Sequence, residues 1–581
     1  MTNHQIADKL RHMAIFYEME DLPFRPQAYE KVADAIDALG SDVAGIFEEQ
    51  GEKGLRGIPG VGKSIASHIE QLLRRGSFPE YEKMAAKYPV DLDQLVGIEG
   101  VGPKTIKTLY RQLNIRNLAD LEKAALAGKI RKLPHFGAKS EDNILKGIEL
   151  RKRSGGRKLL GYVLPLARKM EAELAAVKGV KCAVVAGSVR RQQETIGDID
   201  ILVTTSSPER VMEKFAAFPE VAEVLEHGPT KTTVRLSNGM QADVRVIDDA
   251  SFGSALQYFT GSKEHNILVR KLAIDKGLKL NEYGIWRGRR RVASRSEADV
   301  YRAIGLDYIE PELRTASGEV EAAVAGKLPD LLPYGCLRGD LQVQTEWTDG
   351  SASIESMAEQ ARLRGLEYMA VTDHTQALAM VGGLDEKKLA RQGKEIDAVN
   401  RRLEKAGKKF RVLKGTEVDI LKDGSLDLDD AALRQLDVVG ASVHSLFRLS
   451  RAEQTARIIR AMENPHVDII FHPTGRVLNQ RDPYELDMEE VIKAAKATGT
   501  ALEIDAFPDR LDLNDVHVRM AVKAGVRLVI DTDAHRPEHL QFLDLGVAVA
   551  RRGWATKKDV LNTRSLKDLK KWLSAAKNKH R

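Results

Sequence analysis

"AGSVRRQQETIGDIDILV" (residues 186–203) joins a Gly-Ser turn, two arginines and a strand that opens G-D-x-D. Asp198 and Asp200 stand two apart, a spacing that sends both carboxylates out of one face of a strand. Asp243, in "QADVRV", lies on a later alternating segment and can complete a triad from an adjacent strand. Three carboxylates converging without cationic partners repel one another, and such a group persists when divalent metal neutralises it. Two Mg²⁺ held there suit nucleotidyl transfer, activating a 3′-hydroxyl and stabilising a departing pyrophosphate. The Gly187–Ser188 turn and Arg191 suit a triphosphate, through backbone N–H groups and a forked cation. A lone D-x-D is a weak signal. The turn, the pair and the third Asp together are a strong one.

The chain has 581 residues, 43% hydrophobic and 30% charged, with a net charge of +6. That length exceeds one core, so about three to five soluble globular domains are expected. The overall charge says little about partners. The local basic runs "RKRSGGRK" (151–158), "WRGRRRVASR" (286–295) and "KKWLSAAKNKHR" at the C-terminal end say more, although a charge run is often only a solvated face. Cys182 and Cys336 are far apart, which suits a reducing compartment and excludes a disulfide scaffold. The start, "MTNHQIADKL", has no apolar h-region, and no stretch reaches membrane-spanning length. A cytoplasmic protein with no membrane partner is expected.

Upstream of the palm-like stretch, short helical patterns are broken by glycines that repeat. "LRGIPGVGKSIASHIEQLL" (55–73) is echoed by "LVGIEGVGPKTIKTLY" (95–110), and more weakly by "IRKLPHFGAKSEDNILKGI" (130–148). Each reads as helix, G-h-x-G-h-G hairpin, helix. Gly57, Gly60, Gly62 and their counterparts Gly97, Gly100, Gly102 permit close backbone approach. Lys63 and Lys104 then stand where a helix start aims N–H groups at phosphate. The pattern resembles the helix–hairpin–helix DNA-binding motif; a single copy would be an ordinary αα-corner.

After "RKRSGGRK" an amphipathic helix and alternating strands ("KCAVVAGS", "IDILVTT", "TTVRLSN", "QADVRVID") predict an α+β domain. Helical patterns return at 251–277, and a Pro-containing stretch near 311–335 reads as a linker. From 336, short strands alternate with helices: "EYMAVTD", "FRVLKGTEVD", "DVVGASVH", "VDIIFHP", "TALEID", "VRLVIDTD". That alternation predicts parallel strands in a barrel-like α/β domain, with polar residues just past the strand ends.

Taken together, these motifs resemble the family X DNA polymerases, the group of DNA polymerase beta. They resemble in particular the bacterial members with a C-terminal polymerase-and-histidinol-phosphatase (PHP) domain, over nearly the whole chain. The resemblance implies helical helix–hairpin–helix domains at 1–82 and 83–154, a nucleotidyltransferase palm at 155–250 and a thumb-type domain at 251–317. A linker at 318–335, a PHP distorted (β/α)7 barrel at 336–572 and a basic tail at 573–581 would follow. It makes Asp198, Asp200 and Asp243 the metal-binding catalytic triad, served by Mg²⁺ or Mn²⁺. Arg157, Gly187, Ser188 and Arg191 would contact triphosphate. In "YFTGS", Tyr258, Phe259 and Gly261 would lie beside the sugar, while Asn266 and Arg270 would meet the incoming base and template. Asn266 and Arg270 are four apart, hence on one helix face, and can donate to acceptors common to every base pair in the minor groove. Gln192 departs from the family, which usually has Gly after the two arginines. His68 stands where beta-like members carry a Schiff-base lysine, and imidazole forms no stable imine, so lyase activity is not assigned.

For the barrel the resemblance implies up to three Mn²⁺ or Zn²⁺ ions on nine ligands. Seven are present: Asp349, His374, Glu417, His444, His472, Asp533 and His535. The family's H-x-H pair falls on Gln342 and Gln344, within "GDLQVQTEWTDG" (339–350). An amide oxygen is a neutral hard donor, poor for Zn²⁺ and weaker than imidazole for Mn²⁺. The position that pair serves would keep mainly Glu417 and Asp533, so weakened 3′–5′ exonuclease and abasic-site cleavage are expected. The implied function is a monomeric, template-directed polymerase filling short gaps in base-excision-type repair, on gapped or primed duplex with deoxynucleoside triphosphates. A template-independent nucleotidyltransferase and a DNA-end-binding scaffold with residual catalysis are the alternatives.

Overall fold

The computed structural model describes residues 1, 3–37, 43–98, 100–153 and 155–578; the last three residues of the expected basic tail lie outside it. The chain divides into two compact units, the first made mainly of Met1–Gly156 and the second mainly of Arg157–Ala217, Ala222–Leu478 and Pro483–Arg581. The break falls inside "RKRSGGRK". No described helix is long and apolar enough to cross a membrane.

The first unit is helical around one core that includes Leu10, Ile58, Ile69, Ile98, Ile106, Ile130 and Ile144. Its three hairpins close with equivalent backbone hydrogen bonds: Val61 N–H to Ile58 O at 3.1 Å, Val101 to Ile98 at 2.9 Å and Phe136 to Leu133 at 3.1 Å. The repeat is therefore structural as well as textual. Gly60 and Gly100 hold φ of +82° and +84° at the turn, and His135 takes that place in the third copy with φ +68°. A left-handed backbone is strained for a side chain bearing Cβ, which is why the third copy reads as degenerate.

In the second unit the strands Val180–Val185, Asp198–Thr205, Gln241–Val246 and Lys231–Leu236 lie side by side in that order within a five-stranded sheet. Asp198–Thr205 and Gln241–Val246 run parallel; their outer neighbours run antiparallel to them. Leu202 and Ala186 pack with Ala255 and Leu256, which seats the helix Phe252–Thr260 on the sheet. The next core gathers Val269, Ala273, Ile285, Val300, Tyr301 and Ile309 with Val320 and Ala323. Each such aliphatic side chain, fully buried, contributes roughly 1.5–3 kcal/mol. The stretch 318–335, expected as a linker, is thus part of a packed core. It carries the helix Glu319–Val324, whose Glu319 is buried against His265 (Nδ1–Oε1 2.7 Å). Apolar residues three apart, Val320 and Ala323, give it the helical face that its Pro and Gly neighbours obscure.

Seven parallel strands then follow in chain order: Gly339–Val343, Tyr368–Val371, Arg411–Asp419, Val438–Ser442, Ile469–Ile470, Ala501–Asp505 and Leu528–Asp531. The first and last approach through Gln344 N–H to Ala534 O at 2.9 Å, which nearly closes a barrel. The intervening helices start where side chains absorb orphan N–H groups. Ser353, Asp385, Ser450, Asp487 and Asn514 each accept from the backbone N–H three residues on. The helix Leu566–Asn578 places Leu569 and Leu573 in the core at the barrel's end. Residues 573–578 therefore continue a docked helix, which corrects the expectation of a separate tail from 573.

Candidate functional site

The palm site is set by strand register. Asp200 pairs with Asp243 and Asp198 with Gln241 across parallel strands, so all three carboxylates leave one face. Burial, then the neighbouring charges of Asp198 and Asp243, push the Asp200 carboxyl up to about 7. Asp243 is buried and held from both sides: Thr233 Oγ1 donates to Oδ1, and Gln241 Nε2 donates to Oδ2 at 2.9 Å. The triad is not wholly free of cations, because Lys231 Nζ stands 4.0 Å from Asp243 Oδ1. Gly187 abuts the triad. With φ +59°, it would bring a Cβ to 2.5 Å from Asp200 Oδ2.

The short helix Gly187–Arg190 follows directly. Ser188 Oγ and Arg191 Nε are buried without a hydrogen-bond partner among the described residues, two donors left for a ligand. The rest of the Arg191 guanidinium donates to Thr260 O, and burial lowers its pKa. Gly261 is required here, since a Cβ would come within 3.0 Å of Arg191 Nη1. Arg157 is turned to Thr195, with Nε to Oγ1 at 2.9 Å and Nη2 to the carbonyl at 2.5 Å. Tyr258 and Phe259 meet edge to face at 5.1 Å, and Arg270 stacks over Tyr258. Asn266 differs from expectation. Its amide is held at both ends, donating to Tyr258 O at 2.8 Å and accepting from Gln257 at 2.7 Å, and it is 8% exposed. Gln192, the departure from Gly, adopts φ +53°, so the turn keeps a glycine-like backbone despite the side chain.

In the barrel, two groups of side chains converge closely enough to share an ion: Asp349, His374 and His535, and His374, Glu417 and His444. His374 Nε2 and His535 Nε2 lie 3.6 and 3.4 Å from Asp349 Oδ2. Glu417 Oε1 receives His472 Nε2 at 2.8 Å and His444 Nε2 at 3.1 Å. Burial opposes ionisation of Glu417, but His374 and His444 outweigh it and hold the carboxyl well below its ordinary range. Burial likewise disfavours a charged His535, yet Asp533 and Asp349 push the imidazole up to about 10.

The position expected to be served by Gln342, Gln344, Glu417 and Asp533 is different. Gln344 Nε2 donates to Glu417 Oε2 at 2.7 Å, so an N–H faces the carboxylate where a metal would need a lone pair. Gln342 is fully buried, with neither amide atom partnered among the described residues. Asp533 faces a guanidinium, with Arg510 Nε at 3.9 Å from its Oδ2 and 3.4 Å from Asp505 Oδ2. The donor sets fit divalent ions at the triad and at the two convergent barrel groups. They do not fit at the glutamine pair.

In the helical unit, Gly97 has φ +86°, and Gly62 and Gly102 cap helices beginning at Lys63 and Pro103. A Cβ on Gly62 or Gly102 would meet nothing within 4 Å, leaving those backbones open to close approach. Gly57 is instead packed, 3.1 Å from Gly54 O. Lys63 is exposed, and Lys104 Nζ pairs with Asp21 Oδ1 at 3.0 Å. His68 stacks on Phe78 at 4.2 Å, and its Nδ1 meets Tyr29 Oη at 2.7 Å. Burial lowers its pKa, so this side chain is a neutral, fixed ring. Arg510, Gln257, Thr233 and Gln241 all shape these sites and were not singled out in the sequence. Only Gln241, two residues before Asp243, carried a local signal.

Comparison with known proteins agrees with this geometry. The family model of the DNA polymerase beta thumb matches residues 255–315. A helix-hairpin-helix domain matches 1–78, and a SAM-like helix-hairpin-helix tandem matches 92–151. The chain is 37% identical over 579 residues, 99% of each chain, to the DNA polymerase/3′–5′ exonuclease PolX of Bacillus subtilis (strain 168). It is 26% identical over 344 residues to DNA polymerase lambda of Rattus norvegicus, covering 54% of this chain and 56% of that one. It is also 29% identical over 242 residues to a probable phosphatase of Thermoanaerobacter sp. (strain X514), covering 39% of this chain and 90% of the relative.

Proposed function

The chain belongs to the bacterial PolX group of family X DNA polymerases with a PHP domain, and from that premise we propose that it fills short gaps in duplex DNA. It is a DNA polymerase. The observation that carries the site assignment is the register of Asp200 with Asp243, with Asp198 on the same face. These three carboxylates would hold divalent ions, Mg²⁺ or Mn²⁺, which supply Lewis acidity to the attacking hydroxyl and the leaving pyrophosphate. Ser188 and Arg191 offer unpartnered donors to the triphosphate, and the open Gly187 backbone lets it approach. Tyr258 and Phe259 flank the sugar, and Arg270 on the same helix face as Asn266 reaches the base pair. Asn266 acts by orienting Tyr258 through its carbonyl contact. The hairpins at Gly60, Gly100 and His135, with Lys63 and Lys104, hold duplex through its phosphates.

The barrel keeps two candidate ion positions, for Mn²⁺ or Zn²⁺, and lacks the third. Metal-assisted phosphodiester cleavage works best with ions close together on both sides of the phosphorus. Exonuclease and abasic-site cleavage are accordingly weak in this chain. Primer extension on a single-nucleotide gap tests the main reading. Products that follow the template base support it, whereas additions indifferent to the template would make the protein a template-independent nucleotidyltransferase.

A further inference from the structure

We propose that Arg552 and Arg476, two arginines of the barrel, are positioning residues for nucleotide incorporation in the palm. The proposal rests on the polymerase reading above and deepens it. Arg552 ends the helix Leu543–Arg552, and its side chain is 1% exposed. It donates Nη1 to the carbonyl of Gln192 and Nη2 to Glu194 Oε1 at 3.3 Å, while its Nε faces Asp515 Oδ2 at 3.5 Å. Arg476, 8% exposed, grips the same Glu194 with both nitrogens, Nη1 to Oε2 at 3.1 Å and Nη2 to Oε1 at 2.6 Å. It is itself anchored by the Leu511 carbonyl.

These contacts end on the turn that carries the proposed triphosphate ligands. Gln193 N–H bonds to Ser188 O at 3.1 Å and Gln192 N–H to Val189 O at 3.0 Å, so residues 188–193 fold back as one unit. Gln192 stands in it with φ +53°, a backbone that a residue with Cβ resists. The Arg552 guanidinium on its carbonyl, and the two-arginine clamp two residues later, are what hold that conformation. Thr195, the next residue, anchors Arg157. At the turn's other end Gly187 lies against Asp200. A shift of the turn would therefore move Ser188 and Arg191 relative to the carboxylates, and misplacement on the ångström scale is costly in catalysis. The three partners are hundreds of residues apart, and all of these side chains are buried or nearly so.

The test uses the full chain on a single-nucleotide gapped duplex. Wild type, Arg552→Gln, Glu194→Gln, the double variant and Arg476→Lys are compared by dNTP KM, kcat, affinity for gapped DNA and melting temperature. Each single variant is expected to raise the dNTP KM about tenfold, with kcat and DNA affinity within about threefold. The double variant should resemble the worse single one, because both remove the same clamp. If Arg552→Gln does not fold, Glu194→Gln, isosteric and on the more exposed side of the clamp, carries the test. KM values within about twofold of wild type would overturn the proposal, as would additive losses in the double variant or a parallel fall of kcat, DNA affinity and melting temperature. A wild-type protein that incorporates nothing would instead overturn the polymerase reading.

Discussion

Gln344 donates its Nε2 hydrogen to Glu417 Oε2 at 2.7 Å, so the central carboxylate of the barrel is occupied on that side by an amide. Its other oxygen receives His472 and His444. Arg510 faces Asp533 and Asp505, and a fixed cation already stands beside the remaining acidic ligands. Restoring imidazoles should therefore change metal content before it changes anything else. The double substitution Gln342→His with Gln344→His is expected to add up to one bound Mn²⁺ or Zn²⁺ per chain and to raise exonuclease activity tenfold or more, as an order of magnitude. Elemental analysis of the purified protein and a 3′-end-labelled duplex measure the two effects. Vigorous Mn²⁺-dependent exonuclease in the unaltered chain, lost on His374→Ala, would show that the glutamines suffice.

The palm triad predicts a separation between chemistry and binding. Asp198→Ala or Asp243→Ala should reduce incorporation by roughly a thousandfold or more while leaving affinity for gapped DNA within about threefold. Duplex affinity belongs to hairpin backbones and basic side chains in the other compact unit. Because Asp243 also receives Thr233 and Gln241, its loss leaves two polar groups unpaired, so melting temperature is measured beside activity. Incorporation near the wild-type rate by either variant would remove the assignment.

What the sequence made legible follows the reach of its regularities. The i, i+2 spacing of Asp198 and Asp200 fixes a face without knowledge of any neighbour, and a later strand with one Asp supplies the rest. Hairpin glycines recur within about forty residues, so the repeat could be read, and its weak copy is weak because His135 holds the backbone a glycine would hold. The Glu194–Arg476 pair spans 282 residues and the Gln192–Arg552 contact 360, and no periodicity reports such pairings. Arg510 was hidden for the same reason: its partners come from other strand ends. Pro and Gly flanking Glu319–Val324 masked a short helix, and helix packing overrode the local turn signal.

Lys104 offers a test of phosphate-dominated binding. Its ammonium stands at the start of a helix, 72% exposed, paired only loosely with Asp21, which Lys107 also approaches at 3.5 Å. Lys104→Glu should weaken duplex binding about three- to tenfold, equally on unrelated sequences, and reduce the slope of log K against log salt by about one. Titrations at several salt concentrations on two duplexes of different sequence measure both. A sequence-dependent loss, or an affinity indifferent to salt, would contradict a phosphate contact.

Glu297 predicts how acid acts on the thumb-type domain. Its carboxylate lies between two arginines, Oε2 to Arg190 Nη2 at 2.6 Å and Oε1 to Arg314 Nη1 at 2.6 Å, with Tyr308 Oη donating to Oε2 at 3.2 Å. Burial alone would raise its pKa; the charge of Arg314 and the contacts of Arg190 outweigh it and bring the carboxyl down to about 2 from the usual 4.5. A folded-state pKa below the unfolded one means the ionised form favours the fold. That contribution is complete above the unfolded value and is lost as pH falls through 4.5 towards 2, where two largely buried guanidiniums lose their counter-charge. The stabilisation at neutral pH is about 3 kcal/mol at most. Glu297→Gln should therefore lower the melting temperature most at pH 6–7, by several degrees, and the gap to wild type should close as pH falls below about 4. Thermal melts of both proteins across that range measure it. A gap that stays constant from pH 7 to pH 3 would show that packing around the glutamate, and not its charge, stabilises this domain.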